Sequence, residues 1–172
     1  MSNDLYAWKK FIKIGLIGIL PLILIFVFFK AVPESPALYY FLELTKNIST
    51  NISSTNLALT KPLGMYCKLA PLFSIYFAVK YLKYVKSNPK TEDKASLIFY
   101  LFGFLAVYAV IFYIFVISAF DINNGNRLLK ATASNDFYIL FYYFVVFSGL
   151  YALTFLLAML VKFIYLWLIK EK

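Results

Sequence analysis

The chain has no histidine and one cysteine, Cys67, among its 172 residues. A single cysteine cannot form an intrachain disulfide, and without histidine the commonest metal ligand and general base is missing. The sequence also lacks a phosphate-binding glycine loop, a nucleophile elbow and a His/Cys cluster. We therefore predict that the protein is not an enzyme and has no catalytic residue, cofactor site or metal site.

Acidic residues are scarce as well. Eight Asp and Glu stand against seventeen Lys and Arg, and four long apolar runs contain no charged residue at all. About 20 helical residues, rising ~1.5 Å each, cross a hydrocarbon layer of ~30 Å. Three of the runs reach that length with their flanks, but the second is shorter, so its span must include Lys68 and Lys80, whose long side chains can extend to opposite interfaces. The charge-free runs are residues 14–29, 69–79, 97–119 and 138–161.

This pattern predicts an all-α integral membrane protein, a four-transmembrane-helix bundle formed by one domain, residues 1–172, in contact with the lipid bilayer. Ion-coupled transporters usually carry buried carboxylates or broken helices in repeated halves, so the charge-free runs disfavour a transporter. The predicted spans are about 11–30, 63–82, 96–120 and 137–162. The predicted loops are 31–62, 83–95 and 121–136.

The net charge of +9 is spread beside the apolar runs and is not gathered in one patch with a recognition motif, so we expect no nucleic-acid partner. Eleven basic residues lie near the two termini or near loop 83–95, which share one side of the membrane in this arrangement, and six lie on the opposite side. The positive-inside rule therefore predicts that both termini and loop 83–95 are cytoplasmic and that loops 31–62 and 121–136 are external. The eleven are Lys9, Lys10, Lys13, Lys80, Lys83, Lys86, Lys90, Lys94, Lys162, Lys170 and Lys172.

The basic start of the chain also fits a cleaved signal peptide. The first apolar run is long for the apolar region of a signal peptide, and Ser35-Pro36-Ala37 matches a cleavage site poorly. We therefore predict a retained first span. In the loop that follows, Ser35 and Pro36 are suited to start a short amphipathic helix over residues 36–46. Residues 45–56 are rich in Ser, Thr and Asn, and we expect them to be flexible.

Two prolines lie inside predicted spans. Pro21 cannot donate a hydrogen bond to the carbonyl of Ile17, and Pro71 cannot donate one to the carbonyl of Cys67. Both positions are predicted helix kinks. Two interpretations stay open: the kinks open a small polar pocket in the bundle, or they only assist packing.

Small residues predict where the third and fourth spans approach each other, because they allow close contact between helices in lipid. We predict that Gly103 and Ala106 pack against the fourth span. On that span, Ser148 and Ala152 form a small-xxx-small pair, and Tyr151 lies near mid-bilayer. Since a phenolic hydroxyl needs a partner in lipid, we predict that Tyr108 contacts Ser148 or Tyr151.

Several segments carry a family resemblance. The most specific is Tyr66-Cys67-Lys68-Leu69-Ala70-Pro71, which follows the Ser/Thr-rich loop. Over nearly its whole length the chain resembles the immunity proteins against pore-forming colicins of the colicin A type. The supporting segments are residues 17–22, 65–71, 120–122, 127–129 and 133–136, together with Gly125.

The resemblance implies a multi-pass protein of the bacterial inner membrane that protects the producing cell from its own toxin. In this family, the toxin inserts a hydrophobic helical hairpin from the periplasmic side, and the immunity protein meets it laterally in the membrane and prevents channel opening. The implied partner is the pore-forming domain of a cognate colicin.

Candidate contact residues follow from the resemblance and from their expected depth. Tyr66 and Cys67 are expected to pack and not to react. Charged residues at the outer ends of the spans have two interpretations: they contact the toxin, or they pair with one another as a clasp. The candidates are Tyr66, Cys67, Lys68, Pro71, Asp121, Arg127, Asn135 and Asp136.

An alternative function belongs to another class, a small accessory or structural subunit of a bacterial membrane complex. A small pore is disfavoured because the apolar runs carry no charge. Genomic context distinguishes the first two hypotheses, since an immunity gene is expected beside a toxin gene that encodes a long hydrophobic hairpin.

Overall fold

The computed structural model describes residues 3–85 and 94–170. Within these residues the chain is helical and has no strand, apart from an isolated parallel bridge between Ile52 and Asp121. The all-helical prediction is confirmed. The α-helices are α1 (Asn3–Ala31), α2 (Pro36–Thr45), α3 (Leu57–Cys67), α4 (Ala70–Tyr81), α5 (Lys94–Phe112), α6 (Arg127–Ala133) and α7 (Asp136–Lys170).

Four helical segments of the described residues are long and apolar enough to cross a membrane. The second begins at Leu57, earlier than predicted, because Pro62 and Lys61 lie inside α3 and not in the preceding loop. The predicted loop 83–95 falls largely on residues 86–93, outside the described residues. The segments are Asp4–Ala31, Leu57–Tyr84, Phe99–Ile117 and Asp136–Leu166.

Helices α1 and α7 run antiparallel and form the centre of the bundle. The Phe26 and Phe137 rings meet at one end, with centroids 5.2 Å apart, and the Phe11 and Phe155 rings meet at the other, 4.6 Å apart. We call the Phe26 end the loop end and the Phe11 end the terminal end. The close approach of α1 to α7 depends on Gly18, where an added Cβ would lie 2.6 Å from the Phe147 ring.

Helix α4 packs beside both central helices and completes a three-helix core. Its buried residues include Ser74 and Phe77, and the Phe77 ring stands edge-on to Phe11 and Phe155. The Ser74 hydroxyl is fully buried and has no hydrogen-bond partner among the described residues. The contacts among the Phe11, Phe77 and Phe155 rings show that aromatic packing dominates the terminal end of this core.

Helix α5 packs against α7. The Tyr108 hydroxyl lies 2.9 Å from Oγ1 of Thr154 on α7, so the prediction that Tyr108 meets Ser148 or Tyr151 is wrong. The antiparallel register brings Tyr108 level with Thr154, and Tyr151 instead donates a hydrogen bond of 2.9 Å to the Phe11 carbonyl.

The small residues predicted to pack α5 against α7 do not do so. Gly103 and Ala106 are exposed, and apart from the backbone of α5 itself and the two neighbouring residues, no described atom lies within 4 Å of a Cβ built on Gly103. Ser148 is exposed and Ala152 is half-buried. Larger side chains, including Tyr108, make the contact, because a small residue permits a close approach between helices but does not require one.

The two prolines have different effects. Helix α1 continues through Pro21, whereas the second span is interrupted at Lys68 and Leu69, just before Pro71. The Tyr66 hydroxyl next to this interruption donates a hydrogen bond of 2.8 Å to the Gly18 carbonyl, one turn before Pro21. The polar contacts between the two spans thus lie where prolines disturb the regular helical pattern.

Candidate functional site

At the loop end, residues 47–56 fold back into the bundle and do not form the flexible loop that their composition predicts. We call this segment the inserted loop. Thr50, Asn51 and Ser53 are at most 4% exposed. Gly64 of α3 provides the space, since a Cβ there would lie 2.5 Å from Thr50 Oγ1 and 2.8 Å from the Asn51 carbonyl oxygen. The flexibility expected from the polar composition is therefore wrong for this segment, because it is buried and several of its polar groups are hydrogen-bonded, although Oδ1 of Asn51 has no partner among the described residues.

The inserted loop is held by hydrogen bonds to α7 and to its own neighbours. Tyr143 of α7 donates a hydrogen bond of 2.6 Å to the Asn51 carbonyl. The Ser53 amide donates one of 3.0 Å to Oγ1 of Thr60, which itself bonds to the Asn56 carbonyl at 2.8 Å. These contacts satisfy backbone groups that would otherwise be buried without partners.

The inserted loop also pairs with the segment after α5. The Ile52 amide donates to the Phe120 carbonyl at 2.9 Å, and the Ile122 amide donates to the Ile52 carbonyl at 2.8 Å. The Asp121 carboxylate accepts hydrogen bonds from the backbone amides of Ser54 at 3.3 Å and Asn123 at 2.9 Å. Burial raises the pKa of the Asp121 carboxyl, but the hydrogen bonds from Asn123 and Ser54 outweigh it, so the pKa lies below its ordinary value.

Two lysines contact the inserted loop, one inside α3 and one directly after its last residue. Lys61 is 7% exposed and donates a hydrogen bond of 2.5 Å from Nζ to the Ile48 carbonyl. The Lys68 ammonium group donates to the Ser49 carbonyl. Both lysines bond to backbone carbonyls, so the structure does not support the clasp interpretation for Lys68.

A different lysine completes the ion pair at this end. Nζ of Lys30, in the last turn of α1, lies 2.5 Å from Oδ2 of Asp136, the first residue of α7. The Asn56 side-chain amide donates to the other carboxylate oxygen at 2.5 Å. A carboxylate in the first turn of a helix is also favoured by the helix dipole. Asp136 therefore joins α1, the inserted loop and α7, as a clasp would, but with a partner that the sequence did not indicate.

The remaining candidates divide into buried and exposed residues. Cys67 is 1% exposed and its thiol lies 3.3 Å from the Tyr143 carbonyl, and the Tyr66 ring stacks on Phe147. Asn135 caps α7 by accepting a hydrogen bond of 2.8 Å from the Phe137 amide. Arg127, at the start of α6, is exposed and forms no ion pair within the described residues.

An apolar groove lies on the surface of the bundle. It has a volume of about 630 Å³ and runs between α1, α2 and α3. Its walls include Leu24, Phe28, Phe41 and Met65. Helix α2 forms one side of the groove. The helix begins as predicted, with Ser35 accepting a hydrogen bond of 3.3 Å from the Ala37 amide and Pro36 in its first turn.

The chemistry available at the loop end is recognition. No group of three His, Cys, Asp or Glu residues that could hold a metal ion occurs in the part of the chain that the structure describes. Many of the buried polar groups bond within the chain, and the exposed surface combines apolar helix faces with polar and charged side chains of both signs. Such a surface suits contact with another protein or with lipid.

Comparisons with known proteins agree with this assignment. The sequence matches a family model described as colicin immunity protein over residues 34–172, which contain every candidate contact residue from Tyr66 to Asp136. The colicin-A immunity protein of Citrobacter freundii is 31% identical over 140 residues, covering 81% of this chain and 76% of that protein. No solved structure matches the chain.

Proposed function

Because the chain belongs to the colicin immunity protein family, we propose that it binds the membrane-inserted pore-forming domain of one cognate colicin and blocks channel opening. The protein acts by binding and catalyses no reaction. Its location in this proposal is the bacterial inner membrane, which its four apolar helical segments can cross.

The observation that carries the proposal is the exposure of α5. Over the described residues Phe99–Ile117, no side chain is buried, although the segment is long and apolar enough to span a membrane. Gly103, Ala106 and Ala109 lie on exposed positions of this helix. Since helices associate in lipid through van der Waals packing, a face of small residues lets an incoming apolar helix approach closely. We assign this face of α5 to the toxin hairpin.

Charge distribution supports an orientation in which the toxin meets the loop end from outside. Lys9, Lys10, Lys13 and Lys162 belong to the terminal end of the bundle, which the positive-inside rule assigns to the cytoplasm. Arg127 is then external and exposed, and we propose that it contacts the toxin directly. Lys68 and Asp136 are bonded within the chain, so we propose that they hold the loop end in shape.

A protection assay tests the function. The full chain is expressed in sensitive bacteria, which are challenged with a panel of pore-forming colicins while membrane depolarisation is recorded. We expect protection against one colicin and not its relatives, and none from the empty vector. Depolarisation by every colicin of the panel in cells that contain the inserted protein would contradict the proposal.

A matched pair of substitutions tests the role of α5. Gly103→Leu fills the proposed contact face, and Gly149→Leu adds the same side chain on α7, where the space beside the glycine is also open. We expect Gly103→Leu to abolish protection and Gly149→Leu to preserve it, with equal membrane levels of both. Full protection by Gly103→Leu would exclude this face of α5 as the contact.

A further inference from the structure

A second groove, at the terminal end, combines a cationic rim with apolar walls. It has a volume of about 540 Å³ and lies between α1 and α4. Lys10 and Lys13 stand at its rim, and Ile14, Ile17 and Phe73 form part of its walls. From Lys10 to Ile17 the groove follows α1 for about 10 Å. Its polarity therefore changes along the bundle axis, from charged near the helix end to apolar toward the middle of the span.

A third cation stands close to the same rim. Nζ of Lys80 donates a hydrogen bond of 2.9 Å to the Tyr76 hydroxyl and lies 4.6 Å from the centre of that ring. Tyr76 itself lines the groove. Among the described residues that line the groove there is no carboxylate. The rim therefore attracts anions, and it offers no acidic partner for the ammonium group of a zwitterionic headgroup.

We propose that this groove binds an anionic phospholipid, with the headgroup phosphate between Lys10 and Lys13 and an acyl chain against Ile14, Ile17 and Leu72. Basic pockets between helices on the cytoplasmic side of a membrane are suited to anionic headgroups. The groove matches a phospholipid in depth as well as in charge, because lysines at the end of a span lie at the level of the headgroups and the apolar walls lie at the level of the acyl chains. The groove between α1, α2 and α3 has apolar walls and therefore offers no comparable selection of a headgroup.

Lipid titration of the purified full chain tests the proposal. In native mass spectrometry, phosphatidylglycerol and phosphatidylcholine with identical acyl chains are added separately to the protein in detergent. We expect phosphatidylglycerol to bind about tenfold more tightly. Equal binding of the two lipids would overturn the proposal, because the lysines would then make no contribution to selection.

Two double variants locate the binding. Lys10→Gln with Lys13→Gln removes the rim charge, and we expect phosphatidylglycerol affinity to fall about ten- to thirtyfold with phosphatidylcholine unchanged. The control, Lys46→Gln with Lys130→Gln, makes the same change in net charge at the loop end and should retain the affinity of the unsubstituted protein. An equal loss in both double variants would show a general charge effect and overturn the assignment to this groove.

A third variant distinguishes binding of a whole lipid from binding of a soluble anion. Leu72→Trp fills the groove at an exposed position and leaves the lysines in place. We expect it to weaken phosphatidylglycerol binding. Retained binding in this variant, or displacement of the lipid by glycerol phosphate at equal concentration, would mean that the rim binds phosphate alone and would overturn the proposed acyl-chain contact. These readouts use purified protein, so they are independent of the protection assay.

Discussion

The hydroxyl of Tyr143 lies 2.6 Å from the backbone oxygen of Asn51, 92 residues away in sequence, and both residues are buried. This hydrogen bond joins α7, the fourth segment that is long and apolar enough to cross a membrane, to a loop whose composition predicts flexibility. Cys67 bonds to the Tyr143 carbonyl from the other side, so Tyr143 also connects the second span to the fourth. The inserted loop is therefore part of the core at the loop end.

Tyr143→Phe tests the contribution of this hydrogen bond. The substitution leaves the Asn51 carbonyl buried without its donor, which costs about 1–3 kcal/mol. We expect a lower unfolding temperature in detergent and faster cleavage of residues 47–56 by a protease. Tyr138→Phe, at an exposed position of the same helix, should change neither measurement. Cleavage at the same rate in both variants would show that the hydrogen bond does not hold the inserted loop.

Gly64→Ala tests whether the inserted loop needs the glycine beneath it. A Cβ at this position would lie 2.8 Å from a backbone oxygen, so the loop must move, and overpacking of this kind costs about 1–3 kcal/mol. Gly103→Ala is the control, because it adds the same methyl group in open space and should be neutral or slightly stabilising. Thermal unfolding in detergent compares the two, and equal stability would contradict the close contact.

The ion pair between Lys30 and Asp136 is tested by a double-mutant cycle. The variants are Lys30→Gln, Asp136→Asn and the two together, with thermal unfolding as the measurement. Since both side chains are partly exposed, we expect a coupling free energy of about 0.5–1 kcal/mol. A parallel cycle with Lys68→Gln in place of Lys30→Gln should show no coupling. The reverse result would favour the clasp interpretation in which Lys68 pairs with Asp136.

Asp121 makes stability depend on pH. Its pKa in the folded protein is below the ordinary value of about 3.9, so folding favours the charged carboxylate. The stabilisation is fully present above pH ~4 and is lost as the pH falls through the lower folded pKa. We expect unsubstituted protein to be more stable than Asp121→Asn near neutral pH, with the difference shrinking in acid. A difference in unfolding temperature that stays constant from neutral to acidic pH would contradict this.

Features that depend on local composition can be predicted from the sequence. The apolar runs predicted helices able to cross a membrane, and the Ser35-Pro36 pair predicted the start of α2. The sequence does not identify which residues of one helix contact another helix. Gly103 and Ala106 were expected to pack, whereas Gly15 and Gly18 of α1 make the close approaches to Tyr151 and Phe147. A small residue has the same local signal wherever it lies on an apolar helix, so composition alone cannot identify the face that meets another helix.

The sequence by itself determined the helical class, the number of apolar segments and the family, because each depends on residue type and spacing along the chain. Only the tertiary structure decided that residues 47–56 are buried, that Lys30 and not Lys68 pairs with Asp136, and that α5 is left exposed. The physical reason is that hydrogen bonds and ion pairs between distant segments depend on helix register and rotation. Both are set by packing of the whole bundle, and no local pattern encodes them.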